Sequence, residues 1–175
     1  MTIAIHRLTK HELSRVHEID VSETGAVIYR YRDGALQTVP EQWTRPHWTA
    51  EAWQAHLQQW ITDLHPDLFL GAFDGEQLVG LASLRYQLTS TTAQLTTLHI
   101  SRSYRRQGVA SALVQEVIRL TKEDGAQTLY VSAVESASAV NFYLRQGFRP
   151  TDEPDPVLFA LEPNDIHMVM TLCDT

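Results

Sequence analysis

One cysteine, Cys173, stands among 175 residues, so no disulfide can close within the chain. No Cys/His cluster surrounds it, and it is read as a bystander. Long apolar runs are missing too: none approaches the ~20 residues a membrane helix requires. The first residues lack the basic, then apolar, then small order of a secretion signal. These absences make the cytoplasm the expected compartment, with no membrane partner. Positive charge is also scarce. Lys and Arg number 14 against 21 Asp and Glu, for a net charge of −7. A nucleic-acid-binding surface needs the opposite balance, so no nucleic acid is expected; a cationic small molecule suits an acidic chain better. His11, His17, His47, His56 and His65 share no metal-ligand spacing, and no metal site is expected. Gly-x-Gly-x-x-Gly is absent, which disfavours a dinucleotide-binding domain of Rossmann type.

What is present reads as one α/β domain. Ile3 to Leu8 suits a first strand. Thr9-Lys10-His11-Glu12 has capping-box spacing and predicts a helix from Lys10 to about Ile19. Asp33-Gly34 between two β-rich runs, 26 to 39, predicts a hairpin. Trp43, Pro46 and Trp48 follow in an expected irregular connection. Thr49 caps a helix to about Leu64 with Trp53, Leu57, Trp60, Ile61 and Leu64 on one face, and His65-Pro66 stops it. Strands are expected over 67–73, 77–88 and 93–101, a helix over 108–123, and a strand over 128–134. Ser136 caps a helix that Gly147 ends. Phe148 begins another strand, 151–156 is a loop, 157–161 a short strand and 166–172 a last one. The sum is a mixed, mostly antiparallel sheet flanked by helices.

The stretch from Ser101 to Gly125 carries the clearest chemistry. A strand feeds a polar loop containing Arg102, Arg105 and Arg106, and Gly108 then opens a strongly periodic helix. The first turn of a helix has unpaired N–H groups and the positive end of the dipole. A glycine there admits an anion close to the backbone.

Two motifs give that anion site a context. Arg105-Arg106-Gln107-Gly108-Val109-Ala110 resembles the acyl-CoA pyrophosphate loop, Arg/Gln-x-x-Gly-x-Gly/Ala, of the GCN5-related N-acetyltransferase (GNAT) superfamily. Ala139-Val-Asn-Phe-Tyr143-Leu-Arg-Gln-Gly147-Phe148 resembles its second signature, Ala-x-x-x-Tyr-x-x-x-Gly-Phe. The resemblance is good over about 67–150 and looser before it. Arg102 stands where a proline is frequent, and Ser136 where an asparagine often caps the last helix.

The resemblance implies a single N-acetyltransferase domain over 1–175, with a cofactor core at about 67–150 and a variable acceptor region at about 20–66. It implies a splayed central strand pair with pantetheine in the gap, against backbone groups of Leu98, His99 and Ile100. Pyrophosphate would rest on Gln107, Gly108, Val109, Ala110 and Ser111 with help from Arg105 and Arg106, and Ser136 and Asn141 would border the cofactor. Acetyl-CoA is the implied cosubstrate, a small-molecule or peptide amine the acceptor, and a homodimer the implied assembly. Tyr143 is the implied acid for the departing thiolate, since a phenol is neutral at pH 7 and donates a proton. The base stays open among Glu23, His99, Glu135 and the more remote His167. Tyr29, Tyr31, Trp43 and Trp48 either pack the core or line an acceptor pocket. The competing functional class is a non-catalytic acyl-CoA-binding sensor or interaction module.

Overall fold

The computed structural model describes residues 2–172, so Cys173 lies outside the described residues. Nine strands and five helices follow in the order β1 (Ile3–Arg7), α1 (Lys10–Leu13), β2 (Glu23–Arg32), β3 (Ala35–Arg45), α2 (Ala50–Leu64), β4 (Leu68–Asp74), β5 (Gln77–Arg85), β6 (Thr92–Ile100), α3 (Val109–Glu123), β7 (Thr128–Ala133), α4 (Ala137–Gln146), β8 (Arg149–Pro150), α5 (Pro156–Leu161) and β9 (Ile166–Thr171). Seven strands form one sheet, β1-β4-β5-β6-β7-β9-β8, and β2-β3 form a separate hairpin. Every pair in the large sheet is antiparallel except β6 with β7.

Alternation along the strands divides the core. One face of the sheet packs Ala82, Leu95, Ile100, Leu129 and Val131 against Val109, Leu113 and Val117 of α3 and Val140 and Tyr143 of α4. The other packs Phe73, Leu78 and Leu81 against Val16, Ile19, and Trp53 and Leu57 of α2. Trp53 is fully buried. Glycine at 80 lets α3 close onto the sheet, since a Cβ there would press on Ile100 and Leu113.

Several expected boundaries differ. The capping box at Thr9 and Glu12 forms, but α1 stops at Leu13 and a 3₁₀ turn follows at Val16–Glu18. Glu18 is drawn away to the start of β5, where it accepts from Leu78 N at 2.9 Å, and it pairs with Arg15. The hairpin is longer than its Asp-Gly signal, because β3 runs through Pro40 and Trp43 to Arg45. Pro40 is tolerated because β3 pairs with β2 alone and its other edge is open. Gly25 gives the Trp43 indole its seat, since any Cβ there would collide with that ring. Ile61 leaves the buried face of α2 and is exposed. Residues 157–161 are helix and not strand: Asp155 caps α5 by accepting from Val157 N and Leu158 N, both at 3.0 Å, with Pro156 next in line. Asp-Pro is a helix-start signal, and it outweighs the β-like composition after it.

Candidate active site

The central strands part in a way the register explains. β6 pairs with β7 only from Thr92 to Leu95. On its other side β6 passes from Leu95 opposite Leu84 to Thr97 opposite Ser83, so Thr96 is an extra residue, a β-bulge. Bulges bend and twist the strand that carries them. Ser83 Oγ holds this one, 2.5 Å from Thr96 Oγ1 and 2.6 Å from Thr97 Oγ1. Past it β6 stays with β5 while β7 continues with β9, and a V-shaped gap opens.

Period-2 alternation decides what faces that gap. Ser101 N donates to Val79 O at 2.8 Å, so the backbone groups of Ser101 and His99 serve β5. Those of Leu98 and Ile100 turn toward the gap. Of the three residues expected to offer backbone there, His99 is the one that does not.

At the mouth of the gap α3 begins. Arg106 and Gly108 both have positive φ, 61° and 84°, and this left-handed turn reverses the chain into the helix. A Cβ on Gly108 would meet nothing within 4 Å, so backbone conformation and open space define the position. Ala112 N is the first to find an intrahelical acceptor, Gly108 O at 2.9 Å. The N–H groups of Val109, Ala110 and Ser111 have no carbonyl four residues back within α3. Arg106 and Gln107 are exposed beside them, while the buried Val109 and Leu113 fix the helix on the sheet. Ser111 Oγ accepts from Gln146 Nε2 at 3.0 Å and ties α3 to α4. Such an arrangement can seat an anion.

Arg105 is not part of that seat. Its guanidinium turns inward, donating to Ile100 O at 3.2 Å, Ser22 O at 3.0 Å and Asp20 O at 3.4 Å. A half-buried guanidinium needs acceptors, and these carbonyls supply them. It also lies 3.7 Å from Glu23, which Arg45 engages at 2.8 Å. Glu23 is therefore a strut between two guanidiniums and not a free base.

Tyr143 lies on α4, between Ser136, whose Oγ accepts from Ala139 N, and Gly147 at φ 103°. Phe142 and Phe148 stand edge-on to its ring at 5.3 and 5.4 Å. Its hydroxyl has no hydrogen-bond partner among the described residues. Burial pushes its pKa up, and the Asp165 carboxyl adds to the shift, so the phenol keeps its proton. Asn141 Oδ1 accepts from Tyr29 Oη at 2.9 Å, which ties α4 to the hairpin.

The other base candidates are occupied or muted. His99 lies among Trp48, Trp53 and Trp60 at centroid distances of 5.6, 5.6 and 5.1 Å. Burial first, then Arg45, His56 and Arg105, lowers its pKa to about 3, which makes it a weak base. Glu135 is ion-paired with Arg30. His167 Nε2 donates to Glu162 O at 3.0 Å, so Nδ1 accepts from Tyr130 Oη at 2.7 Å. Both of its nitrogens are spoken for.

The residues that sequence reasoning missed are Glu162 and Asp165. They lie in the α5–β9 turn, and both carboxyls are raised by burial, with Glu162 raising Asp165 further. No local motif marks them; only the ladder does, since Ile166 stands opposite Ala133 at the wide end of the gap. Asp165 also lines a cleft of about 450 Å³ between the hairpin tip and the α5–β9 turn. Among the described residues no group of three or more His, Cys, Asp or Glu is arranged to hold a metal ion, and no helix is long and apolar enough to cross a membrane.

Comparison with known proteins matches residues 30–148 to the model of the Acetyltransferase (GNAT) family. N-alpha-acetyltransferase 30 of Schizosaccharomyces pombe is 25% identical over 103 residues, 57% of this chain and 69% of that one. Among solved structures, nourseothricin acetyltransferase superposes with a TM-score of 0.76 at 19% identity, over 99% of this chain and 100% of that one. A Bacillus anthracis str. Ames protein assigned as a streptothricin acetyltransferase, solved with acetyl coenzyme A, gives 0.75 at 16% identity, over 98% and 99%. At these identities the two structures speak to the fold.

Proposed function

The chain belongs to the Acetyltransferase (GNAT) family, and on that premise we propose how it performs the reaction. It is an acetyl-CoA-dependent N-acetyltransferase that moves the acetyl group to an amine. The observation that carries the reading is the continuity of three features: the anion seat at α3, the backbone of Leu98 and the N–H of Ile100 turned toward the gap, and the unpartnered hydroxyl of Tyr143.

In this reading the pyrophosphate of acetyl-CoA rests on the N–H groups of Gln107 to Ser111, with Arg106 beside them. Pantetheine extends β6 along Leu98 and Ile100. A backbone N–H there polarises the thioester carbonyl and stabilises the oxyanion. The amine attacks directly, so no covalent enzyme intermediate forms, and Tyr143 protonates the departing thiolate. Holding both reactants in line supplies a large share of the acceleration. Residues 67–150 form the cofactor core, and the hairpin region within 20–66 varies the acceptor. The acceptor is a primary amine of a small molecule or peptide. The cytoplasm stays the proposed compartment on composition alone, and a homodimer on family likeness alone.

Thiol release from acetyl-CoA, measured over a panel of spermidine, lysine, an aminoglycoside and a peptide with a free N-terminus, tests the reading. Release with at least one amine is expected, with kcat about a hundredfold or more lower for Tyr143→Phe. Full activity in that variant removes the acid role. If acetyl-CoA binds but no amine is ever acetylated, the chain is an acyl-CoA-binding module.

A further inference from the structure

The two sides of the gap differ in electrostatics, and the difference bears on where the acceptor enters. Beside β6, His99 is flanked by Arg45 and Arg105, and Glu23 is spent between those two guanidiniums. That side offers an ammonium group no free carboxylate from this cluster. Beside β7 and β9 the balance reverses. Glu162 and Asp165 lie half-buried against one another, and among the described residues neither is in a salt bridge. Of the two guanidiniums in the lining of the cleft, Arg30 is committed to Glu135, and Arg32 makes no salt bridge with either carboxyl. A pair of carboxyls sunk in a protein without a cation is costly, and a bound cation removes the cost.

Position agrees with charge. Asp165 precedes Ile166, whose partner Ala133 ends β7 at the open end of the V. Ile166 and Ala133 share a core cluster with Tyr143, the Asp165 carboxyl bears electrostatically on that phenol, and it also borders the 450 Å³ cleft, a volume suited to a small molecule or the end of a peptide. One group therefore lines an open cleft and stands next to the residue, Ile166, that packs in the cluster of Tyr143. We propose that this cleft receives the primary ammonium group of the acceptor and that Asp165 takes its proton. The inference rests on the acetyltransferase reading and names a base for it.

The steps balance. The ammonium gives one proton to the Asp165 carboxylate, which passes it to solvent. The neutral nitrogen attacks the thioester carbonyl, the N–C bond forms and the C–S bond breaks. The thiolate takes the Tyr143 proton, and the surplus proton on the new amide nitrogen returns to the phenolate through water. The products are an acetylated amine, CoA thiol and one released proton.

The groups facing Asp165 set its pH behaviour. They are Glu162 and His167 from its own segment, Glu135 after β7, Tyr143 on α4, Arg30, Arg32 and Asp33 of the hairpin, and Asp152 after β8; Asp63 of α2 bears on Glu162. Burial and Glu162 raise Asp165, so its basic form fills only as pH climbs above the ordinary carboxylate range. The rate then climbs with it on the acidic limb.

The test is the pH dependence of kcat/KM for thiol release, using the best amine of the panel above, for wild type, Asp165→Asn, Asp165→Glu and Glu162→Gln, with acetyl-CoA affinity measured for each. Asp165→Asn is expected to lose about a hundredfold or more at neutral pH, to lose the acidic-limb inflection and to bind acetyl-CoA as wild type does. Asp165→Glu recovers part of the rate. Glu162→Gln, which removes the neighbour that raises Asp165, moves the limb to lower pH. Activity in Asp165→Asn within about threefold of wild type, or an unmoved limb in Glu162→Gln, overturns this inference alone. A wild type that releases no thiol with any amine overturns the acetyltransferase reading and this inference with it.

Discussion

Glu23 and Asp165 are both acidic residues, and their neighbours put them in opposite electrostatic settings. Glu23 is mostly buried between Arg45 and Arg105, its side chain 19% exposed. Removing its charge leaves two guanidiniums facing each other. Glu23→Gln is expected to cost about 2 kcal/mol of stability, read by urea denaturation, with thiol release at low temperature near that of wild type. Unchanged stability with a lost rate would return Glu23 to the catalytic list. The sequence alone could not separate these roles. In the sequence Glu23 is one of several open base candidates, while the charge that neutralises it, Arg45, comes from 22 residues further along, next to a stretch expected to be irregular. His99 carries the same lesson, because its rotation toward the tryptophans depends on pairing with Leu81. The placement of Tyr143 on α4 was legible because its motif is local to one helix.

At the scale of the element, α3 was the most readable part of the chain. Its apolar period, Gly108 before it and Gly125 after it all lie in sequence order. What could not be read is the bulge at Thr96, because a bulge is a mismatch between two strands and Ser83, which holds it, is 13 residues away. The break of α1 was hidden for the same reason, since Glu18 answers to Leu78 on β5. The short α5 was legible in principle from Asp155-Pro156. The proposed role of α3 makes a further claim about Gly108. Alanine in the left-handed region costs about 1 kcal/mol or more, and its methyl group would project into the open space above the first turn. Gly108→Ala is expected to lower the melting temperature modestly and to weaken acetyl-CoA binding about tenfold or more by calorimetry. A variant that loses stability yet keeps full affinity would mean the anion seat lies elsewhere.

Across the whole molecule, the hairpin is the part that joins the halves. Its base meets the end of β6 through Glu23, Arg45 and Arg105. Its middle joins the end of β7, where Tyr29 N donates to Glu135 O at 2.7 Å and Ile28 bridges Ser136. Near its tip, Tyr31 Oη donates to Asp152 at 2.7 Å. One hairpin thus spans the opening of the V and walls the cleft that Asp165 lines. The central claim is that acetyl-CoA lies from the start of α3 down the gap between β6 and β7. A titration of the protein with acetyl-CoA, followed by backbone amide resonances, tests it directly. The largest shifts are expected at Gln107 to Ser111 and at Leu98 and Ile100, with smaller ones at Tyr143. Saturable shifts confined to other surfaces, or none at all, would contradict it.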